Sequence, residues 1–360
     1  MSTPIKALRI HAGPLALEHI RREGLKPQDV RVVPGAAGGP KGLILGPIDR
    51  FMFGEWLTQS SQPVHLVGAS IGAWRLANAC LGNSVQAFRD FEHGYVNQQF
   101  EVPAGQKRLT ARQVSAQFGD GLRQFYGGRT AEVLGHPRYS LHVITARGRH
   151  ILGREGKART PFGYLGAFMA NSVRRKSLGA WLERVVFSTP GAALPFGTQD
   201  FRSRQVDLTQ ANFEAALQAS CSIPFMLEAV HDIPGAPPGA YWDGGITDYH
   251  LHLDYNNGDG LVLYPHFQRA VVPGWLDKGL KWRHAPTSFL DRMVVLAPNP
   301  EWVATLPNGK LPDRTDFTRY GQDGAARSKV WARAAAESQR LADEFAQWVS
   351  KSEASEVLPL

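Results

Sequence analysis

The stretch VHLVGASIGAW, residues 64–74, places Ser70 between two glycines where one kind of segment gives way to another. VHLV is a short apolar run typical of a buried strand, and IGAWRLANACL, which follows Ser70, predicts a helix that ends before Gly82. The Gly-x-Ser-x-Gly pattern between them is typical of a sharp turn that exposes a serine hydroxyl at the carboxyl edge of a sheet. In a chain with 37 glycines the pattern alone is weak, and a plain glycine-rich corner is the alternative. Ser70 is therefore a candidate nucleophile whose support must come from elsewhere in the chain.

Strand-like and helix-like runs alternate through the rest of the chain. The predicted strands are residues 30–34, 64–67, 139–145, 184–188, 260–264 and 292–297. The predicted helices are residues 14–23, 43–56, 71–81, 110–124, 207–219 (with Thr209 as a cap) and 324–350. This alternation predicts an α/β fold with a mostly parallel central sheet covered on both faces. We expect a single domain over residues 1–360, with a cap or insertion at about 147–203 and a C-terminal helix at about 324–350.

The composition limits the class of protein. Apolar residues make up 43% of the 360 residues and charged residues 20%, which describes a globular protein with an ample core. No apolar run approaches the ~20 residues of a membrane-spanning helix, and the first residues lack the order of a signal peptide, so we expect a cytoplasmic protein. Two cysteines, Cys80 and Cys221, make neither a disulfide scaffold nor a four-ligand metal site.

A glycine-rich segment, PGAAGGPKG at residues 34–42, lies between a predicted strand and a predicted helix. Acyl transfer through a serine needs backbone N–H groups aimed at the developing oxyanion, and glycines let that backbone approach a substrate closely. Lys41 adds positive charge beside the same turn. A phosphate-binding loop or a plain turn is the alternative, but neither Gly-Lys-Ser/Thr nor G-x-G-x-x-G occurs in the segment.

The third segment is AYWDGGITDYH, residues 240–250, in which Asp243 precedes two glycines. Aspartate followed by Gly-Gly is a common turn sequence. A carboxylate at the end of a strand, held by permissive backbone, is also suited to act as a general base. The pattern leaves both interpretations open.

These three segments, in this order, resemble the patatin-like phospholipases. That family carries a glycine-rich oxyanion loop, a Gly-x-Ser-x-Gly serine and a catalytic aspartate before two small residues; GGPKG (38–42), GASIG (68–72) and DGG (243–245) match them in turn. ASCSIP (219–224) is similar to the family's Ala/Ser-rich segment before the aspartate. The resemblance spans about residues 30–250. The chain departs from the family at Ala37, where the family has the first glycine of a triplet, and at Ala36, where an acidic residue is common.

The resemblance implies a three-layer α/β/α fold and a lipid acyl hydrolase, phospholipase or esterase, that works through a Ser–Asp dyad. Ser70 would attack an ester carbonyl, and Asp243 would take its proton and return it to the leaving alcohol. Backbone groups around Gly38 and Gly39, with Lys41 beside them, would form the oxyanion hole. No metal and no cofactor is implied.

An unperturbed aspartate, with a pKa of ~3.9, is a weak base at neutral pH. Burial against Tyr241 and Trp242 would raise the pKa of Asp243 and make it a better base. We state this as a hypothesis that the pH dependence of acylation tests.

Other site chemistries also fit the sequence. An ordinary α/β-hydrolase triad needs a histidine after the aspartate in the chain. The histidines in that order are His250, His252, His266 and His284. His250, His252 and Asp254 alternate as metal ligands on one strand face would, and Cys221 is a second candidate nucleophile.

The formal charge of +8 is concentrated in residues 147–184. That stretch holds two acidic residues, Glu155 and Glu183, and nine basic residues, which are Arg147, Arg149, Arg154, Lys157, Arg159, Arg174, Arg175, Lys176 and Arg184. Apolar and basic residues interleave there, as in a segment that lies on an anionic membrane. A non-catalytic lipid- or membrane-binding protein is therefore a further alternative, and a solvated basic face is the plainest explanation. No nucleic-acid-binding signature accompanies the charge, so we expect no nucleic-acid partner.

Overall fold

The strands of the protein form one mixed sheet. The computed structural model describes residues 5–99, 105–106, 109–351 and 353–360. Residues 1–4, which belong to the segment expected to lack a signal peptide, lie outside the described residues. The strands in these residues are β1 Leu8–Ala12, β2 Val30–Gly35, β3 Val64–Ala69, β4 Tyr139–Gly148, β5 Leu182–Ser188, β6 Ser203–Asp207, β7 Val230–His231, β8 Ala240–Asp243, β9 Leu261–Pro265, β10 Met293–Pro298 and β11 Val357–Pro359. Their order across the sheet is β11-β1-β10-β9-β2-β3-β4-β5-β6, and β8 pairs with β4 and β7.

Helices occupy most of the connections between the strands. The α-helices in the described residues are α1 Pro14–Glu23, α2 Gly46–Phe51, α3 Ile71–Ala79, α4 Ser84–Asn97, α5 Ala111–Tyr126, α6 Thr130–Leu134, α7 Arg159–Val173, α8 Phe213–Cys221, α9 Gly245–Asp248, α10 Pro300–Val303, α11 Thr315–Tyr320, α12 Gly324–Glu337 and α13 Gln339–Lys351. Strands β10, β9, β2, β3 and β4 run parallel to their neighbours in this series, whereas β1, β5 and β8 pair antiparallel with it. The predicted α/β fold with a mostly parallel central sheet is confirmed.

The central strands are buried because helices cover them. All five residues of β9 and all six of β10 are buried, in agreement with their continuous apolar sequences. One large apolar cluster joins the sheet to the surrounding helices, and a smaller cluster lies under α7, around Tyr164 and Trp242. Of the segment 147–203 that was expected to form a cap or insertion, β5 lies within the sheet and α7 lies over the smaller cluster.

Three predicted helices differ from the structure. The helix predicted over 43–56 is α-helical only at Gly46–Phe51, between a 3-10 segment at Gly39–Leu45 and a π-helical turn at Met52–Trp56. The helix predicted over 207–219 begins only at Phe213, because residues 203–207 pair with β5 as an edge strand. Thr209 is not its cap: its backbone N–H donates to the Asn212 side chain, which precedes the helix. The helix predicted over 324–350 is divided at Ser338 into α12 and α13, which pack against α4 and α2, respectively. Within the described residues, no helix is long and apolar enough to cross a bilayer.

Candidate active site

Ser70 lies on a strained turn between β3 and α3. Its φ of 55° and ψ of −131° are rare for a residue with a side chain, and such strain is found most often at functional sites. Gly72 makes the turn possible, because a Cβ atom built there would lie 1.9 Å from the carbonyl oxygen of Gly35. This turn, residues 68–72, is called the elbow. It contacts the end of β2 directly, where the glycine-rich loop begins. Ser70 itself is 4% exposed.

Ser70 donates a hydrogen bond to Asp243. The distance from Ser70 Oγ to Asp243 Oδ2 is 2.7 Å, although 173 residues separate the two in the chain. The other carboxylate oxygen, Oδ1, accepts the backbone N–H of Gly245 at 2.7 Å. One oxygen of the aspartate is thus fixed by the backbone, and the other is directed at the serine hydroxyl.

The register of the sheet explains why these two residues meet. β3 runs parallel to β4 and ends with Ala69 opposite Ile144, while β8 runs antiparallel to β4 and ends with Asp243 opposite Thr145. Both strands lie on the same edge of β4, since β5 occupies the other edge. They therefore approach each other head-on, and the residues at their ends come into contact.

Ser220 joins the two parts of the site, a role that the sequence did not predict. Its Oγ accepts the backbone N–H of Ser70 at 2.8 Å and donates to the carbonyl of Ile144 at 2.7 Å. Its own carbonyl accepts the N–H of Gly244 at 3.1 Å. Ser220 belongs to the ASCSIP segment noted in the sequence, so the segment was recognised but not the serine within it that holds the elbow.

The glycine-rich loop lies beside the elbow. β2 and β3 are parallel with Gly35 opposite Gly68, so the segments that follow both strands leave the same edge of the sheet. Within the described residues, the backbone N–H groups of Gly38 and Gly39 have no hydrogen-bond acceptor. Free donors at this edge are what an oxyanion hole requires. The Lys41 ammonium lies 5.3 Å from the centre of the Phe267 ring, and Lys41 lines a cavity together with Asp243.

Two cavities open at the serine–aspartate pair. The larger, of about 1110 Å³, is lined by Ser70 and by mostly apolar side chains, among them Ile71, Val114, Phe118, Ile223 and Leu227. The smaller, of about 210 Å³, is lined by Asp243 together with Lys41, Lys278 and Arg314. Arg314 lines both cavities, and a Cβ built at Gly39 would lie 3.2 Å from its Nε. Neither Arg314 nor Lys278 stands in a sequence pattern that pointed to the site.

Burial raises the pKa of Asp243. Removal of the carboxylate from water is the main cause, and it outweighs the opposing effects of the Ser70 hydrogen bond, the charge of Arg314 and the Gly245 N–H. The residue is 5% exposed, and its neighbour Trp242 is fully buried. The direction agrees with the hypothesis made from the sequence, and it makes Asp243 a stronger base than a free aspartate once it is ionised.

The four candidate histidines have partners elsewhere. His252 contacts Val271 O and Thr287 Oγ1, each at 2.8 Å, and His284 contacts Asp277 O at 2.9 Å. The rings of His250 and His266 lie edge to face at 4.3 Å, and burial lowers the pKa of both. Among the described residues, no histidine is hydrogen-bonded to Ser70 Oγ or to the Asp243 carboxylate. The geometry favours the dyad over the triad.

The remaining alternatives gain little from the structure. Cys221 lines the larger cavity, but burial raises the pKa of its thiol, which disfavours the thiolate that a nucleophile requires. His250, His252 and Asp254 follow one another in a loop and not on a strand. In the part of the chain that the structure describes, no three His, Cys, Asp or Glu side chains are arranged to hold a metal ion.

The basic stretch 147–184 is partly neutralised inside the fold. Arg147 pairs with Glu183 at 2.7 Å, Arg154 with Asp232 at 2.9 Å and Arg175 with Asp277 at 3.0 Å. Arg184 is fully buried between Asp200 and Asp248. The exposed basic residues without an ion pair among the described residues are Lys157, Arg159, Arg174 and Lys176, which flank the two ends of α7.

Comparison with known proteins gives no family for this chain. No protein-family model matches it. No curated protein matches it either.

Proposed function

We propose that the protein is a serine carboxylic-ester hydrolase that cleaves lipid acyl esters through Ser70 and Asp243. The hydrogen bond of 2.7 Å between Ser70 Oγ and Asp243 Oδ2 carries this proposal, because it joins a base to a nucleophile that lines a mostly apolar cavity. The head-on arrangement of β3 and β8 and the free N–H groups of the glycine-rich loop support it. The finer fold assignment, a three-layer patatin-like α/β/α domain, belongs to the same proposal.

The two half-reactions use the same groups. Ser70 Oγ attacks the ester carbonyl as its proton passes to Asp243 Oδ2, and the N–H groups of Gly38 and Gly39 stabilise the oxyanion. As the tetrahedral intermediate collapses, Asp243 returns the proton to the leaving alcohol and Ser70 keeps the acyl group. Water then attacks the acyl-enzyme as Asp243 accepts its proton. When the second tetrahedral intermediate collapses, Asp243 returns that proton to Ser70 Oγ and the fatty acid leaves.

A fluorophosphonate probe tests this proposal directly. We expect the wild-type protein to be labelled, the Ser70→Ala variant to show no labelling, and the Asp243→Asn variant to react at least about 100-fold more slowly. Ser172→Ala is the matched control, because its hydroxyl bonds only to the Phe168 carbonyl on the surface of α7. Labelling of Ser70→Ala at the wild-type rate, with Ser172→Ala unchanged, would overturn the assignment of Ser70.

A Ser-Asp-His triad would make one histidine essential for ester hydrolysis, whereas the dyad would not. Substitution by alanine of His250, His252, His266 or His284 should leave the hydrolysis of a soluble ester within about tenfold of wild type in any variant that remains folded. Loss of activity in one folded histidine variant, comparable to the loss in Ser70→Ala, would replace the dyad by a triad.

We also propose that α7 contacts an anionic lipid surface. The side of α7 that faces the protein consists of Thr160, Gly163, Tyr164, Ala167 and Asn171. Its other side presents Phe162, Leu165, Phe168, Met169 and Val173, which are 42–87% exposed. A soluble helix normally carries polar residues on its exposed side, so this docking face requires a partner.

Charge and position favour a bilayer as that partner. Lys157, Arg159, Arg174 and Lys176 flank the apolar face, as basic residues flank helices that lie on anionic membranes. The inner side of α7 also lies next to the larger cavity: the Tyr164 ring contacts that of Phe225, which is exposed and lines the cavity with Met226. A lipid drawn from the surface under α7 therefore has a short apolar path to Ser70.

A further inference from the structure

Three cations converge on the wall of the smaller cavity. Lys41, Lys278 and Arg314 line it together with Asp243. The Lys278 ammonium lies 4.3 Å from the centre of the Tyr249 ring, and the Lys41 ammonium lies over the Phe267 ring. Both lysines thus rest on aromatic faces at the edge of the same space.

Two carboxylates, Asp243 and Asp313, line the cavity with these cations, but neither forms an ion pair with them. Within the described residues, none of the three side chains has an acidic group within 4.0 Å. Asp313 lines the same cavity, but it pairs with Lys310 at 2.8 Å. Loss of hydration, followed by the charges of Lys41 and Arg314, lowers the pKa of Lys278 to about 8. Clustered cations that repel one another in a cavity are stabilised when an anion enters it.

The chemistry of the dyad determines which part of a substrate enters this cavity. In the proposed mechanism, Asp243 returns a proton to the leaving alcohol, so the alcohol oxygen must lie next to its carboxylate. Asp243 lines the smaller cavity, whereas Ser70 lines the larger apolar one. The acyl chain therefore belongs in the larger cavity, and the alcohol belongs on the side of the cations.

We infer that the smaller cavity is a subsite for an anionic group, a phosphate or a carboxylate, carried by the alcohol half of the ester. This inference rests on the proposed function and defines the substrate class of the same site. A cavity of about 210 Å³ is below the ~300–1,000 Å³ of typical ligand pockets, so it admits one small head group and not a second acyl chain.

Three soluble esters with one short acyl chain test the inference. The alcohols are glycerol, glycerol 3-phosphate and glycerate, and the short chain keeps every substrate monomeric so that no lipid surface contributes. We expect kcat/KM to be at least about tenfold higher for the phosphate ester, the carboxylate ester or both than for the glycerol ester. Lys278→Gln and Arg314→Gln should each lower this ratio about tenfold, and Lys281→Gln, an exposed lysine three residues from Lys278, should not change it.

The ratio of kcat/KM for the anionic esters to kcat/KM for the glycerol ester distinguishes an anion subsite from other roles of the cations. If Lys278 and Arg314 served only to keep Asp243 ionised, their variants would slow all three esters equally, and an unchanged ratio in both variants overturns the inference. Equal hydrolysis of the three esters by the wild-type protein also overturns it but leaves the hydrolase assignment intact. Inhibition by inorganic phosphate without any preference among the esters would show binding of a free anion and would likewise overturn it. Failure to hydrolyse any ester, with no probe labelling of Ser70, would instead reject the proposed function.

Discussion

The proposed role of Asp243 as a base opposes the stability of the fold. A base must be ionised to accept a proton, yet its burial favours the neutral form and raises its pKa. Two donors partly compensate for the lost water, the Ser70 hydroxyl and the Gly245 N–H, both at 2.7 Å. The folded protein therefore holds a carboxylate at neutral pH that its environment does not fully stabilise.

Replacement of Asp243 by asparagine should stabilise the fold at neutral pH. The amide keeps an oxygen for the Gly245 N–H and gains an N–H for Ser70 Oγ, and it removes the cost of burying a charge. Because the folded-state pKa of Asp243 is raised, its penalty is present above that pKa and disappears as the pH falls below the ordinary pKa of aspartate. We expect Asp243→Asn to unfold a few degrees above wild type at pH 7, as measured by calorimetry, and the gain to vanish at acid pH.

The matched control is Asp254→Asn, which changes a half-buried aspartate outside the site. The same pKa also sets the acid limb of single-turnover acylation, which we expect above the ~3.9 of a free aspartate. An acid limb at or below that value, or an Asp243→Asn variant less stable than wild type at pH 7, would show that burial does not tune this carboxyl.

Gly72 is the second residue on which the elbow depends. A methyl group at this position would meet the Gly35 carbonyl oxygen at 1.9 Å. The position of the methyl carbon is fixed by the Cα atom and the oxygen belongs to the backbone, so neither can rotate away. We expect Gly72→Ala to separate the elbow from the glycine-rich loop, to cost about 1–3 kcal/mol in the free energy of unfolding and to slow probe labelling more than tenfold. Urea unfolding and labelling rates measure the two effects.

Gly94→Ala is the control for this substitution. Gly94 lies in α4 with open space around it, so a methyl group there should stabilise the helix by about 0.5–1 kcal/mol. Comparable effects of the two substitutions on labelling would show that the close approach at Gly72 is not needed for reactivity.

At the scale of elements, the sequence predicted most accurately those helices and strands whose ends are determined by residues adjacent in the chain. The helix Pro14–Glu23 has the predicted ends, and β3, α3 and β9 lie within two residues of prediction, because turn residues bound their apolar runs. The Gly-x-Ser-x-Gly turn of the candidate site belongs to this class, since its strand, turn and helix adjoin one another in the sequence.

Elements fixed by distant contacts were predicted poorly. Four of the five residues of β6 are polar and its side chains are largely exposed, so its pairing with β5 leaves no apolar pattern to read. The break at Ser338 follows no glycine or proline; its buried hydroxyl donates to the Ala335 carbonyl where α12 and α13 diverge toward different neighbours. The alignment of β8 with β3 along β4 is equally long-range, so the sequence supplied Asp243 as a candidate but not its contact with Ser70.

The α7 docking face makes a prediction at this scale. We expect the protein to sediment with vesicles of phosphatidylcholine that contain phosphatidylserine, and to do so much less with phosphatidylcholine alone. Phe162→Asp should weaken the binding to anionic vesicles about tenfold or more, because it removes apolar area and adds a negative charge. Lys157→Gln with Lys176→Gln should weaken it by about 1 kcal/mol per charge.

Leu15→Asp is the control for this experiment, since Leu15 is an exposed apolar residue on α1. It should bind vesicles like the wild-type protein. Equal sedimentation with neutral and anionic vesicles would remove the electrostatic part of the docking proposal. Unchanged vesicle binding by the Phe162→Asp variant would show that α7 does not form the membrane-docking surface.

At the scale of the whole molecule, the basic stretch 147–184 also supplies a buried ion pair that connects parts of the fold. Arg184 in β5 donates from Nε and Nη2 to Asp248 at 2.8 and 2.6 Å. It also donates from Nη2 and Nη1 to Asp200 at 2.9 and 3.1 Å. Asp248 ends α9, the helix whose first N–H, from Gly245, holds the Asp243 carboxylate. Arg184, which belongs to the basic stretch, therefore fixes the loop of Asp243 to the sheet and is not available to an outside partner.

Removal of this arginine should affect stability and chemistry together. Arg184→Gln leaves Asp248 fully buried, with Arg175 at 3.6 Å as its remaining ion-pair partner among the described residues. A buried charge without its main partner costs about 3–5 kcal/mol in the free energy of unfolding. Asp248→Asn in the same chain removes the unpaired charge and should restore part of that loss. Urea unfolding of both single variants and of the double variant measures this coupling.

The control is Arg123→Gln, which breaks an exposed pair with Asp120 and should cost less than about 1 kcal/mol in the free energy of unfolding. Where Arg184→Gln remains folded, we expect probe labelling to slow, since α9 and its Gly245 N–H are less firmly held. A cost no larger than that of Arg123→Gln, with wild-type labelling, would mean that the network does not position Asp243.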